Sequence, residues 1–297
     1  MSTTTHTLSA LNRDNFKAVA RALTIVENDL AGAGELLKNL QFAKNTPIIG
    51  ITGPPGAGKS TLVNALISNL IKHGNKIAVL AIDPTSPFNF GSLLGDRIRM
   101  SAHFNDPGVL IRSLATRGSL GGLSAKTIEM TDVLRAAGFD YVFVETVGVG
   151  QSEVEIAGLA DITLLVLVPE SGDEIQNIKS GLMEIADAFV VNKADRADAD
   201  LLANNLKKLT EQKNGQLPVF KAIASQGEGI DDIISFITTA KHQQNIRREM
   251  LLAEKAYRMI QQKRMADVNK RELQQQIAKE ANQPGFNLYN FVNRYLG

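Results

Sequence analysis

The chain has 297 residues, enough for one large domain or a core domain with helical extensions. Lys and Arg number 32 and Asp and Glu 31, so the near-zero net charge favours neither nucleic acid nor a membrane surface as the main partner. The absence of cysteine excludes disulfides, thiolate metal sites and cysteine nucleophiles. The N-terminal MSTTTHTLSALNRDN lacks a signal-peptide pattern, and no central apolar run is long enough to span a bilayer, so we expect a cytoplasmic protein.

Helices come first in the chain, followed by a series of strands. Apolar residues at helical spacing predict two helices within residues 8–43, interrupted at AGAG (31–34). Short, continuously apolar runs then alternate with amphipathic stretches, which indicates parallel strands covered on both faces. We therefore predict a doubly wound, mostly parallel α/β sheet, whose ligands bind beyond the carboxyl ends of the strands. The runs are PIIGITG (47–53), KIAVLAID (76–83), VLIRSLA (109–115), DYVFVE (140–145), ITLLVLV (162–168), AFVVNK (188–193) and PVFKAI (218–223).

The predicted strands end at about residue 240. Residues 241–283 are rich in Gln, Lys, Arg and Glu and predict one long, thinly apolar helix, and FNLYNFVNRYLG predicts a docked terminal helix. The long helix is either a solvated surface helix or an interaction arm that forms a homodimer. We predict three segments: an N-terminal helical extension (1–45), the sheet domain (46–240) and a C-terminal helical dimerisation arm (241–297).

The segment GPPGAGKS (53–60) matches G-x-x-x-x-G-K-[ST] and lies between a predicted strand and a predicted helix, as a P-loop requires. Its glycines let backbone N–H groups face a phosphate, and the following helix contributes its N-terminal dipole. Lys59 is expected to reach the β- and γ-phosphates, and Ser60 to ligate Mg²⁺. The pattern predicts a nucleoside-triphosphate site formed by Gly53, Pro54, Pro55, Gly56, Ala57, Gly58, Lys59, Ser60 and Thr61.

The sequence NKAD (192–195) follows a predicted strand and indicates that the base is guanine. Asp195 can accept hydrogen bonds from guanine N1–H and the 2-amino group, neither of which adenine offers. We expect Lys193 to pack along the base and Asn192 to tie this loop to the phosphate loop. In the later turn AIASQGEG, the Ala224 N–H is the candidate donor to guanine O6.

Glu145 ends an apolar run, which is the Walker-B pattern. Its place at a strand end predicts a carboxylate that holds a Mg²⁺-bound water. The alternative is a strand-terminal Glu followed by a helix-capping turn. In the next residues, VGVGQSE, we expect the Gly148 N–H to face the γ-phosphate, which makes residues 146–156 a nucleotide-sensing switch.

Two further acids follow the P-loop, Asp83 at a strand end and Asp96 in the next loop. We expect Asp83 to ligate Mg²⁺ through water or to orient the attacking water, and Asp96 to approach Mg²⁺ when its loop closes. A helix N-cap is the alternative for Asp96. Gln151 is a second candidate for orienting water, and the sequence does not separate it from Asp83. Without an identified arginine finger, we expect slow intrinsic turnover.

Together these motifs resemble the MeaB/ArgK group of P-loop GTPases, which includes the human methylmalonic aciduria type A protein. The resemblance covers about residues 45–235 and implies a P-loop NTPase domain of the SIMIBI class with N- and C-terminal helical extensions and a homodimer. It implies a chaperone that couples GTP hydrolysis to cofactor loading and protection of an adenosylcobalamin-dependent acyl-CoA mutase such as methylmalonyl-CoA mutase. No cobalamin site is expected in the chain itself. The matching motifs are ITGPPGAGKSTLVNAL, AIDPTSPF with LLGDRIRM, ETVGVGQSE, GDEIQNIKSG and NKAD.

The resemblance also implies roles for individual segments. Residues 145–155 correspond to switch II, and Asp83 and Asp96 to switch I acids near the metal. Residues 171–181 correspond to a third switch that the mutase senses. Its predicted partner-facing residues are Asp173, Gln176 and Lys179, with Lys179 as the key cation. A simple helix cap is the alternative reading of the GDE within this segment.

Two other functions remain open on the sequence. ArgK-type proteins have carried a transport-kinase label, but phosphoryl transfer to a small molecule needs an acceptor pocket, and no substrate motif is recognised. A metal-insertion GTPase is the second alternative, and the lack of Cys argues against it.

Overall fold

The structure, a computed structural model, divides into two compact units, Met1–Arg248 and Glu249–Gly297. The N-terminal helices belong to the same unit as the sheet. The three segment boundaries expected from the sequence remain a prediction. The structure describes residues 7–83, 100–115, 125–146, 152–171, 185–211, 217–239, 246–265 and 267–295.

The first unit is built on a seven-stranded parallel sheet in the order β3-β2-β4-β1-β5-β6-β7. The doubly wound α/β sheet predicted from the apolar runs is confirmed. Strands β1, β5 and β6 are buried along their whole length, because helices cover both faces of the sheet. The strands are β1 Ile48–Thr52, β2 Ile77–Asp83, β3 Val109–Ala115, β4 Tyr141–Glu145, β5 Ile162–Leu167, β6 Ala188–Asn192 and β7 Val219–Ala222.

Two layers of helices enclose this sheet. On one face, α3 and α7 pack over a core that includes Ile51, Phe143 and Val166. On the other face, α1, α2, α4 and α5 pack over β1, β2 and β4, and α6 packs over β5 and β6. The two helices predicted before the core are confirmed. Among the described residues, the helices of this unit are α1 Phe16–Glu27, α2 Ala33–Lys38, α3 Lys59–Lys72, α4 Ala125–Ala137, α5 Ser152–Leu159, α6 Ala199–Glu211 and α7 Ile230–Thr239.

Gly50, in the middle of β1, allows α5 to lie very close to the sheet. A Cβ atom at this position would lie 2.9 Å from both Ala160 Cβ and Ile156 Cγ1. Such distances are too short for carbon atoms in contact, so any side chain here would force the helix away. The glycine therefore sets the spacing between α5 and the central strand.

The direction of winding reverses at β1. The chain passes from β1 to β2 and β3 on one side, returns to β4 beside β1, and then continues to β5, β6 and β7 on the other side. In open α/β sheets the crevice outside the carboxyl ends of the strands at such a reversal is where ligands bind. The segment that follows β1 is the predicted P-loop, so topology and motif select the same place.

Asp140 joins three separate segments at the amino edge of the sheet, where the parallel strands begin. Its carboxylate receives hydrogen bonds from Arg13 Nη1 (2.6 Å), Lys44 Nζ (2.6 Å) and the Lys76 backbone N–H (2.8 Å). Burial raises the pKa of Asp140, but the bonds from Lys44, Lys76 and Arg13 outweigh it and hold that pKa below its usual value. This network fixes the segments around Arg13 and Lys44 to the beginnings of β2 and β4.

One prediction about the C-terminal residues is wrong. Residues 241–283 do not form one long helix: α8 (Ile246–Arg264) and α9 (Lys270–Glu280) are separate. The side chain of Asn269 accepts hydrogen bonds from the Arg271 and Glu272 N–H groups and so begins a new helix. The predicted terminal helix is present as α10 (Leu288–Asn293), where Phe291 packs against the rings of Phe286 and Tyr295. No helix in the described ranges is long and apolar enough to cross a membrane.

Candidate nucleotide-binding site

The predicted P-loop connects the end of β1 at Thr52 to the beginning of α3 at Lys59. Gly53 makes the turn with φ +140°, and a Cβ atom there would lie 2.0 Å from the Val166 carbonyl oxygen of β5. No residue with a side chain fits both the dihedral angle and the space. The loop therefore leaves the strand close against the neighbouring backbone and continues directly into α3 after Gly58.

Lys59 lies within this loop and is almost fully buried, with 7% of its surface exposed. Its Nζ donates to the carbonyl oxygens of Gly53 (2.8 Å) and Pro54 (2.9 Å). These acceptors fix the ammonium group inside the loop, and its contact with the β- and γ-phosphates stays a prediction. A phosphate oxygen that entered the loop would be a stronger acceptor, because it is charged.

Ser60 and Glu145 meet at the carboxyl edge of the sheet, where the parallel strands end. The Ser60 hydroxyl donates to Glu145 Oε1 at 2.6 Å, and both residues are buried. The contact follows from topology, because β4 lies beside β1 with Glu145 in register with Ile51. A hydroxyl and a carboxylate are hard oxygen ligands of the kind that Mg²⁺ binds together with phosphates and water. The donor set therefore fits the ion expected from the sequence.

Asn192, buried at the end of β6, connects three loops. Its Nδ2 donates to the Ala57 carbonyl at 2.9 Å, which provides the link between the NKAD loop and the phosphate loop expected from the sequence. Its Oδ1 accepts the Ala224 N–H at 3.2 Å. That N–H was expected to face guanine O6, and here it donates to Asn192. The role of Ala224 in base contact stays a prediction.

Lys193 and Asp195 extend from the same loop. Lys193 adopts φ +55°, and its Nζ donates to the Gly56 carbonyl at 2.8 Å, so its side chain crosses from the NKAD loop to the P-loop. Asp195 is exposed, so its carboxylate is open to a ligand. The next residue, Arg196, pairs with Glu170 in the turn after β5, and this hydrogen bond lowers the pKa of Glu170.

The other predicted site residues are described only in part or not at all. Asp83 is the last residue of β2, the strand that pairs with β4, so its backbone is at the same sheet edge as Glu145. Its side chain is not among the described atoms. Outside the described residues lie Asp96, Gly148, Gln151, Asp173, Gln176 and Lys179. Their predicted roles are neither supported nor contradicted by the geometry.

The structure brings together two residues to which the sequence assigned no role of their own, although Thr146 is the first residue of the predicted switch 146–156. Thr52 and Thr146, the last residue of β1 and the residue after β4, are buried, and their hydroxyls are 2.9 Å apart. In the sequence they are noticeable only as polar residues beside a motif: Thr52 precedes GPPGAGKS, and Thr146 follows Glu145. Within the described ranges, no group of three or more acidic or histidine side chains could hold a metal ion. The P-loop arrangement needs fewer protein ligands, because the nucleotide provides the rest.

The parallel sheet, the P-loop at its reversal point and the guanine-type NKAD loop beside it define a P-loop GTPase. The model of the family described as methylmalonyl-CoA mutase-associated GTPase MeaB matches residues 19–282, and the chain belongs to this family. The resemblance noted from the motifs is thereby confirmed.

Relatives with names that state a function fall in the same group. A Pyrococcus horikoshii protein with a GTPase name is 47% identical over 263 residues, which cover 86% of this chain and 82% of that protein. The mitochondrial methylmalonic aciduria type A homolog of the mouse is 39% identical over 249 residues, covering 76% of this chain and 60% of that protein. The crystal structure of a LAO/AO transport system kinase superposes with a TM-score of 0.70 at 27% identity, covering 99% of this chain and 98% of the other.

Proposed function

We propose that this GTPase is a chaperone of an adenosylcobalamin-dependent acyl-CoA mutase, with methylmalonyl-CoA mutase as the first candidate. The observation that carries the proposal is the family match over residues 19–282, whose description names association with that mutase. The mouse relative named for methylmalonic aciduria supports the same partner. The protein would act as a homodimer in the cytoplasm and couple its nucleotide state to cofactor loading and protection of the mutase.

The reaction is GTP + H₂O → GDP + phosphate, and the chain contributes mainly positioning and charge. Lys59 and the backbone N–H groups of the P-loop, which Pro54 and Pro55 lack, bind the phosphates, and Asn192 keeps the NKAD loop against the phosphate loop. Ser60 and Glu145 would hold Mg²⁺, which offsets negative charge on the phosphate oxygens. Gln151 or Asp83 would orient the attacking water. We propose that the mutase completes this arrangement and raises a slow intrinsic turnover.

Base recognition is tested with Asp195→Asn. We expect GTP affinity to fall about ten- to a hundredfold, because the charge-assisted hydrogen bonds to guanine are lost. The change for ATP should be much smaller. Because an Asn amide can donate to the 2-oxo group of xanthine, xanthosine triphosphate should bind the variant better than it binds the wild type. Titration with each nucleotide by fluorescence competition measures these affinities. Asp198→Asn, an exposed acid in the same loop at φ +67°, is the matched control. Equal losses for GTP and ATP would contradict the assignment.

The partner is tested by sedimentation of the protein mixed with methylmalonyl-CoA mutase in the presence of GDP or a non-hydrolysable GTP analogue. The proposal requires association that depends on the nucleotide, and stimulation of phosphate release by the mutase. Lys179→Ala is expected to lose the stimulation, and Lys208→Ala, an exposed lysine on α6, should retain it. Identical sedimentation with and without nucleotide would refute the chaperone proposal.

A small-molecule kinase is the second candidate, supported by the name of the structurally similar transport system kinase. The two functions differ in where the γ-phosphoryl group goes. Incubation with γ-labelled GTP and a cell extract, followed by thin-layer separation, shows label in free phosphate for a GTPase. Label in an organic acceptor would favour the kinase.

A further inference from the structure

The hydroxyls of Thr52 and Thr146 form a buried pair next to the nucleotide site. Thr146 Oγ1 donates to Thr52 Oγ1 at 2.9 Å, and the two residues are 1% and 0% exposed. The backbone N–H of Thr146 also donates to the Ile51 carbonyl at 3.0 Å, which extends the pairing of β4 with β1 by one residue. Thr52 immediately precedes the P-loop, and Thr146 immediately follows Glu145. The pair therefore joins the two chain segments that carry Ser60 and Glu145.

The threonine pair and the Ser60–Glu145 contact lie on opposite faces of the sheet. Ile51 and Phe143 point into the core beneath α3, and side chains alternate along a strand, so Glu145 points to the α3 face. Thr146 must then point to the other face, the one covered by α4 and α5. Thr52 shares that face because it is next to Ile51. The end of β4 is thus held on both sides, by Glu145 above and Thr146 below.

A rotation of the backbone at the end of β4 would disturb the contacts on both faces of the sheet. Glu145 is the last residue of the strand, and a twist of the backbone there would swing its carboxylate away from Ser60. The hydrogen bond on the opposite face resists that twist, because Thr146 cannot rotate without separating its hydroxyl from Thr52. Both hydroxyls are shielded from water, so no solvent bond replaces the one lost.

We propose that Thr52 and Thr146 are positioning residues for the Mg²⁺ site: their buried hydrogen bond holds the Glu145 carboxylate at Ser60. The inference rests on the proposed function, since it assumes that Ser60 and Glu145 hold the ion of a bound guanine nucleotide. It adds residues that touch neither nucleotide nor metal and act through Glu145.

The test uses the full chain and mant-GDP, whose affinity is measured in EDTA and again in excess Mg²⁺. The quantity of interest is the Mg²⁺ enhancement, the ratio of the two dissociation constants. Thr146→Val keeps the shape and removes the donor, and we expect it to reduce the enhancement about tenfold, which corresponds to about 1.4 kcal/mol. The affinity in EDTA should stay near the wild-type value, because the P-loop is unchanged. Thr146→Ser keeps the hydroxyl and should restore most of the enhancement.

Two further variants separate positioning from general loss of stability. Thr46→Val removes another buried threonine hydroxyl, which donates to the Phe139 carbonyl at 2.7 Å near the amino edge of the sheet. It should lower the thermal midpoint and leave the enhancement intact. The double variant Thr52→Val/Thr146→Val leaves no hydroxyl without a partner, so its thermal midpoint should return toward the wild type. Its enhancement should stay low, because the hydrogen bond is still absent.

The outcomes distinguish the inference from the proposed function. A wild-type enhancement in Thr146→Val, or an enhancement that recovers with the thermal midpoint in the double variant, overturns the positioning role alone. A wild-type protein whose mant-GDP affinity does not respond to Mg²⁺ overturns the proposed metal site and the inference together.

Discussion

The two edges of the sheet use similar polar side chains in different ways. At the amino edge, the carboxylate of Asp140 receives bonds from the charged side chains of Arg13 and Lys44, which come from distant segments. At the carboxyl edge, Lys59 and Lys193 donate to main-chain carbonyl oxygens of the P-loop. An ion pair between segments holds the fold together. A lysine that donates to a carbonyl oxygen can exchange that acceptor for a phosphate oxygen, so the second arrangement is suited to ligand binding.

The largest effect is expected at the carboxyl edge, for Lys59→Ala. The variant loses the charge-assisted hydrogen bonds expected to the β- and γ-phosphates, each worth about 1.5–3 kcal/mol, so guanine nucleotide affinity should fall by about 10² or more. Isothermal titration with GDP and Mg²⁺ measures the loss. Lys72→Ala, at the exposed other end of the same helix, is the matched control and should bind normally. If Lys59→Ala binds as tightly as the wild type, the lysine does not serve the phosphate.

A second change tests the backbone on which the carboxyl edge is built. Gly53→Ala places a Cβ atom 2.0 Å from the Val166 carbonyl and should lower the free energy of unfolding by about 3 kcal/mol or more. Gly56→Ala, at φ +78° with open space around it, carries the dihedral strain alone and should cost about 1 kcal/mol. Urea denaturation measures both. Equal losses would mean that the close approach to β5 has no influence on stability.

The third change concerns the amino edge and is expected to be smaller. Asp140→Asn removes the charge that Arg13 and Lys44 contact, and should cost about 1 kcal/mol at pH 7, because both cations are more than a third exposed and water screens the pairs. Because the folded state lowers the pKa of Asp140, its contribution is present above the unfolded pKa of about 3.9 and is lost as pH falls through the folded pKa. The stability difference between wild type and variant should therefore shrink below about pH 4.

Denaturation curves from pH 3 to 7 measure that difference. Glu170→Gln is the matched control, since the Glu170 carboxylate is paired with Arg196 but exposed to water. We expect no measurable change in its midpoint of unfolding. Nucleotide affinity should be unchanged in Asp140→Asn, which would complete the contrast between the two edges. A pH-independent loss of stability in this variant would contradict the role of its charge.

The sequence predicted the strands and motifs because each leaves a local signal. Runs such as AFVVNK and ITLLVLV are continuously apolar, and that pattern directly reports a strand buried on both faces. The order of the strands has no such signal. That β4 lies beside β1, and thus that Glu145 reaches Ser60, follows from packing between segments far apart in the chain.

The errors and omissions have the same origin. Asn269 begins α9, but within a polar stretch an N-cap residue resembles any other polar side chain, so one long helix was predicted. Thr52 and Thr146 became informative only when register placed them side by side. Asn192 was expected to reach the P-loop, and its second contact with Ala224 required the position of the loop after β7.

The close packing of α5 against Gly50 also limits the directions in which this helix can move. Because Ala160 and Ile156 already lie against the backbone of β1, the helix has no room to move toward the sheet. The remaining directions are sliding along β1 and lifting away from it. Any displacement of α5 relative to β1 must therefore run parallel to the sheet or away from it, because the glycine contact blocks approach.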